Sequence, residues 1–263
     1  MTSRSLTAFA AVVLVAALAG TARAGFDNTY SAGHADLGVA YEDGVGLFLH
    51  YHFGTGAVIN GVPLSSGAEY APDEVTTIVS DANRMTPGST IPFLGNGPSD
   101  PVWVLPASNV LGVPFLGIGT EELDPFDGWS AVTFALSGYS GTGNFALWQN
   151  NSVGVPQVKW RTNDGIGGSD SFTFPPGSHD HYFWGFTAPG IYDLTVTASA
   201  SRSGTMYTDI GTFRFEVSSA VVPEPSGLVL AGIGLGAVLI AGWRRRGPRV
   251  AGARWAVARA FAD

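Results

Sequence analysis

Ile191 to Ala200 (IYDLTVTASA) and Thr212 to Val217 (TFRFEV) decide the fold class. Tyr192, Leu194, Val196 and Ala198 alternate with Asp193, Thr195 and Thr197, while Phe213, Phe215 and Val217 alternate with Arg214 and Glu216. A period of two puts one set of side chains on each face of a strand. Both stretches therefore read as half-buried antiparallel strands joined by a connection from Ser201 to Ile210. Upstream, Gly46 to Phe53 (GLFLHYHF), Trp129 to Ser137 (WSAVTFALS), Asn144 to Gln149 and Val155 to Arg161 are rich in aromatic and β-branched residues, with Gly, Pro, Asn and Ser between them. Only Ala71 to Asn83 (APDEVTTIVSDAN), with Pro72 and acids at its front, suggests a short helix. No repeat of fixed period is evident. The expected fold is all-β, an immunoglobulin-like antiparallel β-sandwich spanning residues 25–221.

The two ends have a different character. Residues 1–24 carry Arg4 in a short polar start, an apolar run from Ala8 to Ala19, and Ala22-Arg23-Ala24 before Gly25. That is the plan of a secretory signal peptide, with small residues for signal peptidase and an apolar run too short to span a bilayer. At the other end, residues 226–243 (SGLVLAGIGLGAVLIAGW) contain no charge and precede Arg244, Arg245 and Arg246. Eighteen helical residues reach about 27 Å, close to the hydrocarbon thickness. The basic cluster places its own side in the cytoplasm and the preceding domain outside.

Pro223-Glu224-Pro225, the Gly-rich apolar helix and the Arg cluster together resemble the PEP-CTERM sorting domain, over residues 222–246. The resemblance implies a Gram-negative bacterium that makes exopolysaccharide, with an exosortase that recognises and processes the segment near Pro223, Glu224 and Pro225. This chain departs from the family's usual end just after the Arg cluster, because residues 247–263 continue as a basic tail, expected on the cytoplasmic side.

With both ends set aside, residues 25–222 hold five basic side chains against nineteen acidic ones, a formal charge of −14. Such a surface repels nucleic acid, which is excluded as a partner. The chain has no cysteine, so the domain must stand on its core alone, and thiolate nucleophiles and thiolate metal sites are ruled out. Gly138-Tyr139-Ser140-Gly141 lacks the spacing of a nucleophile elbow. Asn163 to Ser169 (NDGIGGS) reads as loop, because no strand-to-helix transition follows it to cradle a phosphate.

Histidine carries the most specific chemical signal. Four of the five histidines form two His-x-His pairs, His50-Tyr51-His52 and His179-Asp180-His181. On a strand, positions i and i+2 share a face about 6.5 to 7 Å apart, from which two imidazoles can converge on one ion. His34 offers a fifth nitrogen, and Asp36 or Asp180 can complete a site or orient a ring. This donor set suits a divalent transition metal such as zinc, although no cofactor is required by the sequence. The alternative is a solvent-facing polar stripe. The acidic run Glu121-Glu122-Leu123-Asp124, with Asp127, has the groups for general acid and base work, and equally those of a solvated or calcium-friendly loop.

Gly33-His34-Ala35-Asp36-Leu37-Gly38, Leu47 to His52, Pro101 to Pro106 and His179 to Tyr192 together resemble the choice-of-anchor M domain, whose C-terminal part is similar to the surface-anchored repeats of actinobacterial wall proteins. The resemblance covers roughly residues 25–220. It implies a surface-anchored module, and some relatives accompany transporters that look like metal-ion importers. Trp184, Phe186 and Tyr192 within it also have a purely structural reading, as three rings packed at a hairpin corner around Pro189-Gly190.

The sequence thus implies an exported, membrane-tethered or exosortase-processed envelope protein that is not an enzyme. A matrix-binding or structural module, with exopolysaccharide or other surface components as its partners, is the first expectation; a metal-binding surface domain using the paired histidines is the second, and an exported hydrolase the third.

Overall fold

Strands dominate the computed structural model, which describes residues 25–218. The first part of the chain gives β1 (Asn28–Glu42), β2 (Gly46–Phe53), β3 (Val58–Ile59), β4 (Val62–Pro63), β5 (Ala68–Tyr70), β6 (Val75–Val79) and β7 (Arg84–Met85). The middle gives β8 (Val102–Leu105), β9 (Pro114–Gly119), β10 (Val132–Gly141), β11 (Phe145–Asn150), β12 (Pro156–Arg161) and β13 (Ser171–Phe174). The last part gives β14 (His179–His181), β15 (Phe183–Phe186), β16 (Gly190–Arg202) and β17 (Thr205–Val217). The assigned signal peptide at 1–24, the sorting segment at 222–246, which includes Pro223, Glu224, Pro225, Arg244, Arg245 and Arg246, and the tail at 247–263 lie outside the described residues. Among the described residues no helix is long and apolar enough to cross a membrane.

Two sheets form the domain, as an all-β sandwich requires. A twelve-stranded sheet runs β13-β10-β16-β17-β6-β1-β2-β5, with β3 and β9 also joined to β1, β4 to β3, and β14 to β9. A five-stranded sheet runs β12-β11-β15-β8-β7. The alternating residues of β16 and β17 pair as expected, with Tyr192 opposite Phe215 and Leu194 opposite Phe213. The Ser201 to Ile210 connection is not a loop, however. Both strands continue to a two-residue turn at Ser203 (φ 49) and Gly204 (φ 87), the paired positive φ values that match strand twist in a tight hairpin. Tyr207 gives the extension a reason to pair, since its ring meets Tyr41 at 5.2 Å and Trp129 at 5.7 Å.

Two further expectations are corrected. The sandwich is not wholly antiparallel, because β1 pairs parallel with β6 and with β9, and β17 pairs parallel with β6. The helix expected over Ala71 to Asn83 is reduced to single 3-10 turns at Pro72–Glu74 and Asp81–Asn83, with strand β6 between them. Val75 and Val79 of β6 are fully buried, so the β-branched VTTIV run is better satisfied by a sheet centre than by a helix.

The core lies between the sheets. Trp184 of β15 stacks on Phe215 of β17 with ring centroids 5.3 Å apart and donates its indole N–H to the Leu116 carbonyl of β9 at 3.0 Å. Phe186 meets Tyr192 edge-on at 4.9 Å. The three rings pack as the sequence suggests, but around a corner rather than in a hairpin: β15 and β16 belong to different sheets, and Pro189-Gly190 carries the chain between them. The Tyr192 hydroxyl closes that corner by donating to Ala188 O at 2.7 Å and accepting from Ala188 N at 3.1 Å.

β1 changes partners along its length. Asn28 to Tyr30 pair with β6, whereas Gly33 to Gly38 pair with β9 and Ala35 to Glu42 with β2. The switch occurs at Gly33, whose φ is 88 and whose hypothetical Cβ would lie 2.8 Å from the Ala57 Cα. Only glycine fits there. The strand beyond it carries His34 and Asp36 and is the centre of the candidate site.

Candidate metal centre

Beyond Gly33, β1 turns Ala35, Leu37 and Val39 into the core and His34, Asp36 and Gly38 to the opposite face. Its neighbours keep the same phase. At one level His181, Gly117, Asp36, His52 and Glu69 follow one another across β14, β9, β1, β2 and β5. Two residues along, His179, Gly119, Gly38 and His50 repeat the row across four of those strands. All five histidines of the chain are therefore on one face of one sheet.

The glycines make this face concave. A Cβ on Gly117 would overlap Asp36 Oδ1, and a Cβ on Gly38 would lie 2.7 Å from His50 Nε2. Their backbone is not in the left-handed region, so space rather than conformation requires glycine at both. A small hollow results, lined by Asp36, Gly38, Val39, His52, Gly119, Glu121 and Glu122.

Over the hollow runs the loop that follows β9, held from below and behind. Leu123 is buried in the core. Thr120 donates its hydroxyl to Pro175 O at 2.5 Å and its amide to Ser178 O at 2.7 Å, while Gly177 N donates to Thr120 O at 2.8 Å. These bonds tie the loop to the approach of β14. Glu121 and Glu122 consequently hang above the histidines.

Two groups of ligand atoms form. His34, His179 and His181 make one; His50, His52, Glu69 and Glu122 make the other; in each, the candidate ligand atoms lie within 4.8 Å of one another. In the first, the ring of His181 stacks on Phe115 at 3.6 Å, and the His34 ring centroid is 5.0 Å from that of His181. His179 Nδ1 lies 2.7 Å from Glu121 Oε1. In the second, Glu122 Oε1 lies 2.8 Å from His50 Nε2 and 2.9 Å from His52 Nδ1. An ionised carboxylate only accepts, so both of those nitrogens carry protons when Glu122 is charged.

Asp36 stands between the groups. It is 1 % exposed, and neither carboxylate oxygen has a hydrogen-bond partner; Oδ2 lies 3.3 Å from His34 Nε2, an ion pair when that ring is protonated. Burial pushes its carboxyl above the ordinary value, opposed by the charges of His34, His179 and His52. His50 Nδ1 and His181 Nδ1 are likewise buried without partners. Burial, with the charges of His34 and His179, pushes His181 down to about 4, so its imidazole is neutral at pH 7, the form that binds metal. For His52, burial acts downward but the hydrogen bond and charge of Glu122 outweigh it and raise the net value. Burial also opposes the ionised form of Glu122, yet the hydrogen bonds and charges of His52 and His50 lower its value overall.

A buried carboxylate that accepts no hydrogen bond, on a hollow it shares with His52, Glu121, Glu122 and two glycines, fits a cation. Tetrahedral zinc with bonds near 2.0–2.2 Å needs ligand atoms about 3.3–3.6 Å apart. In the second group Glu122 Oε1, now 2.8 and 2.9 Å from its two ring nitrogens, must draw back from them, and each binding nitrogen must give up any proton it carries.

Of the ligands the sequence offers, the five histidines and Asp36 share this face; the histidines fall into two groups, and Asp36 is in neither. Asp180 is not among them: it occupies the alternate phase of β14 and accepts from His181 N at 2.9 Å. In the acidic run, Glu121 and Glu122 join the face. Asp124 instead accepts from Phe126 N at 2.8 Å, and Asp127 pairs with Arg202 at 2.8 Å. Glu69 and the floor glycines carry no signal alone; the signal is Gly117-Ile118-Gly119, spaced like the His-x-His pairs. Comparison with family models, curated proteins and solved structures gives no match to this chain.

Proposed function

We propose that residues 25–218 are the outer, metal-binding domain of an exported envelope protein, which captures a divalent transition metal on its histidine face. The observation that carries this reading is the gathering of every histidine in the chain around Asp36, whose buried carboxylate has no hydrogen-bond partner. A purely structural or adhesive module would have no need to bury, among imidazoles, a carboxylate that accepts no hydrogen bond, because such a group costs stability. Nitrogen and oxygen donors without thiolate suit zinc, nickel, copper or iron. The domain acts by binding, not by catalysis.

The sandwich is read as immunoglobulin-like in its tyrosine corner and choice-of-anchor M-like in its motifs. Its placement rests on the sequence: a signal peptide at 1–24 for export, Pro223-Glu224-Pro225 for exosortase, the 226–243 helix for membrane tethering, and Arg244 to Arg246 on the cytoplasmic side. Exopolysaccharide is the neighbouring polymer that this sorting route implies.

The test is calorimetric titration of zinc into the full chain, purified without a histidine tag and stripped with EDTA. Saturable binding that weakens when His34, His179 and His181 are changed together to Ala, or when His50 and His52 are, and vanishes when all five are changed, is the expected result. Binding unchanged by all five changes would refute the reading.

A further inference from the structure

Glu121 and Glu122 are adjacent in the chain yet contact different histidine groups. Glu121 Oε1 is 2.7 Å from His179 Nδ1, and Glu122 Oε1 is within 2.9 Å of both His50 Nε2 and His52 Nδ1. Each group is a complete donor set on its own: three imidazoles with Glu121 at hand, or two imidazoles with Glu69 and Glu122. Asp36 lies on the strand between them, one strand from Glu122's partner His52 and one strand from Gly117, which separates it from His181.

We infer that the face holds two divalent cations side by side, one in each histidine group, with the Glu121-Glu122 dipeptide straddling both. This rests on the metal-binding reading above and extends it from a site to a paired centre. Charge supports the count. Two dications bring four positive charges, and Asp36, Glu69, Glu121 and Glu122 supply four negative ones, while the imidazoles bind as neutral ligands.

The dipeptide also links the two sites. On loading, each glutamate gives up its hydrogen bond to a ring N–H, the proton leaves that nitrogen for the other ring nitrogen of a neutral imidazole, or for solvent from a cationic one, and the carboxylate is free to turn toward the ion. The loop is anchored at Thr120 and Leu123, immediately on either side of the pair. Movement of one glutamate therefore displaces the other, and filling one group changes the affinity of the second.

Native mass spectrometry of the full chain in detergent, stripped with EDTA and titrated with zinc, tests this directly. The expected result is two zinc ions per chain at saturation. The His34→Ala, His179→Ala, His181→Ala triple variant retains one, and the His50→Ala, His52→Ala double variant retains the other. Because His50 is 3 % exposed and its loss leaves a cavity, His52→Ala with Glu122→Gln is the milder second variant, with folding followed by circular dichroism. One zinc in the wild type, abolished by one set of changes and untouched by the other, overturns the paired centre but leaves the metal-binding reading standing. No zinc at all overturns both.

Discussion

Asp36 and His52 face each other across the β1–β2 pair, a buried carboxylate with no hydrogen bond opposite a half-exposed imidazole already engaged by Glu122. Removing the charge from Asp36 should therefore stabilise the metal-free chain. Asp36→Asn, unfolded in urea with EDTA present, is expected to gain about 1 kcal/mol or more, because a neutral amide costs less to bury than a carboxylate. The same variant should bind zinc at least tenfold more weakly. A variant that is both less stable and equally avid would mean that Asp36 is structural.

The floor glycines give a second expectation. Gly117→Ala pushes a methyl group onto Asp36 Oδ1 and to 2.9 Å from the Asp180 carbonyl, and Gly38→Ala pushes one to 2.7 Å from His50 Nε2. Each should lose zinc affinity and cost about 1–3 kcal/mol through overpacking. Gly167→Ala, where nothing lies within 4 Å of the added methyl, is the matched control and should change neither property. Thermal melts with and without zinc measure both.

Metal binding should also raise thermal stability. At a free zinc concentration 100 times Kd, binding to the native state alone adds about 2.7 kcal/mol, which for a domain of this size is a rise in Tm of about 5–10 °C. EDTA should reverse the rise. The triple His34, His179, His181 variant should show only the part contributed by the other group.

Core and site should behave independently. Phe215→Ala, beneath Trp184 and Phe186 at 5.3 Å from each ring, should cost about 3–5 kcal/mol. Tyr192→Phe should cost about 1–3 kcal/mol by leaving Ala188 N and O without their hydroxyl partner. Neither should alter zinc stoichiometry, because distant sites are additive.

Strand alternation was legible where a strand has one face in the core and one outside, so β2 is recovered residue for residue and β16 nearly so, whereas only the second half of β17, Thr212 to Val217, was read as strand. β1 and β9 were not, since their outward residues include His34, Asp36, Gly117 and Gly119 beneath a loop, and burial on both faces erases the period. The His-x-His pairs could be read because their spacing matches a strand's. Their sorting into two groups could not, because it depends on β9 entering parallel beside β1 and carrying β14 at its far edge. Such a partner comes from eighty residues away and leaves no local trace. Glu121 and Glu122 were visible as acids, but their direction is set by the Thr120 bonds to the β14 approach.

The most direct measurement is an anomalous difference map from crystals of the zinc-loaded protein, collected on both sides of the zinc absorption edge. The expected result is strong density above Gly117 and Gly38, within bonding distance of His34, His179 and His181 and of His50, His52 and Glu122. A map with no peak on that face, or with zinc bound only at surface acids elsewhere, would contradict the account.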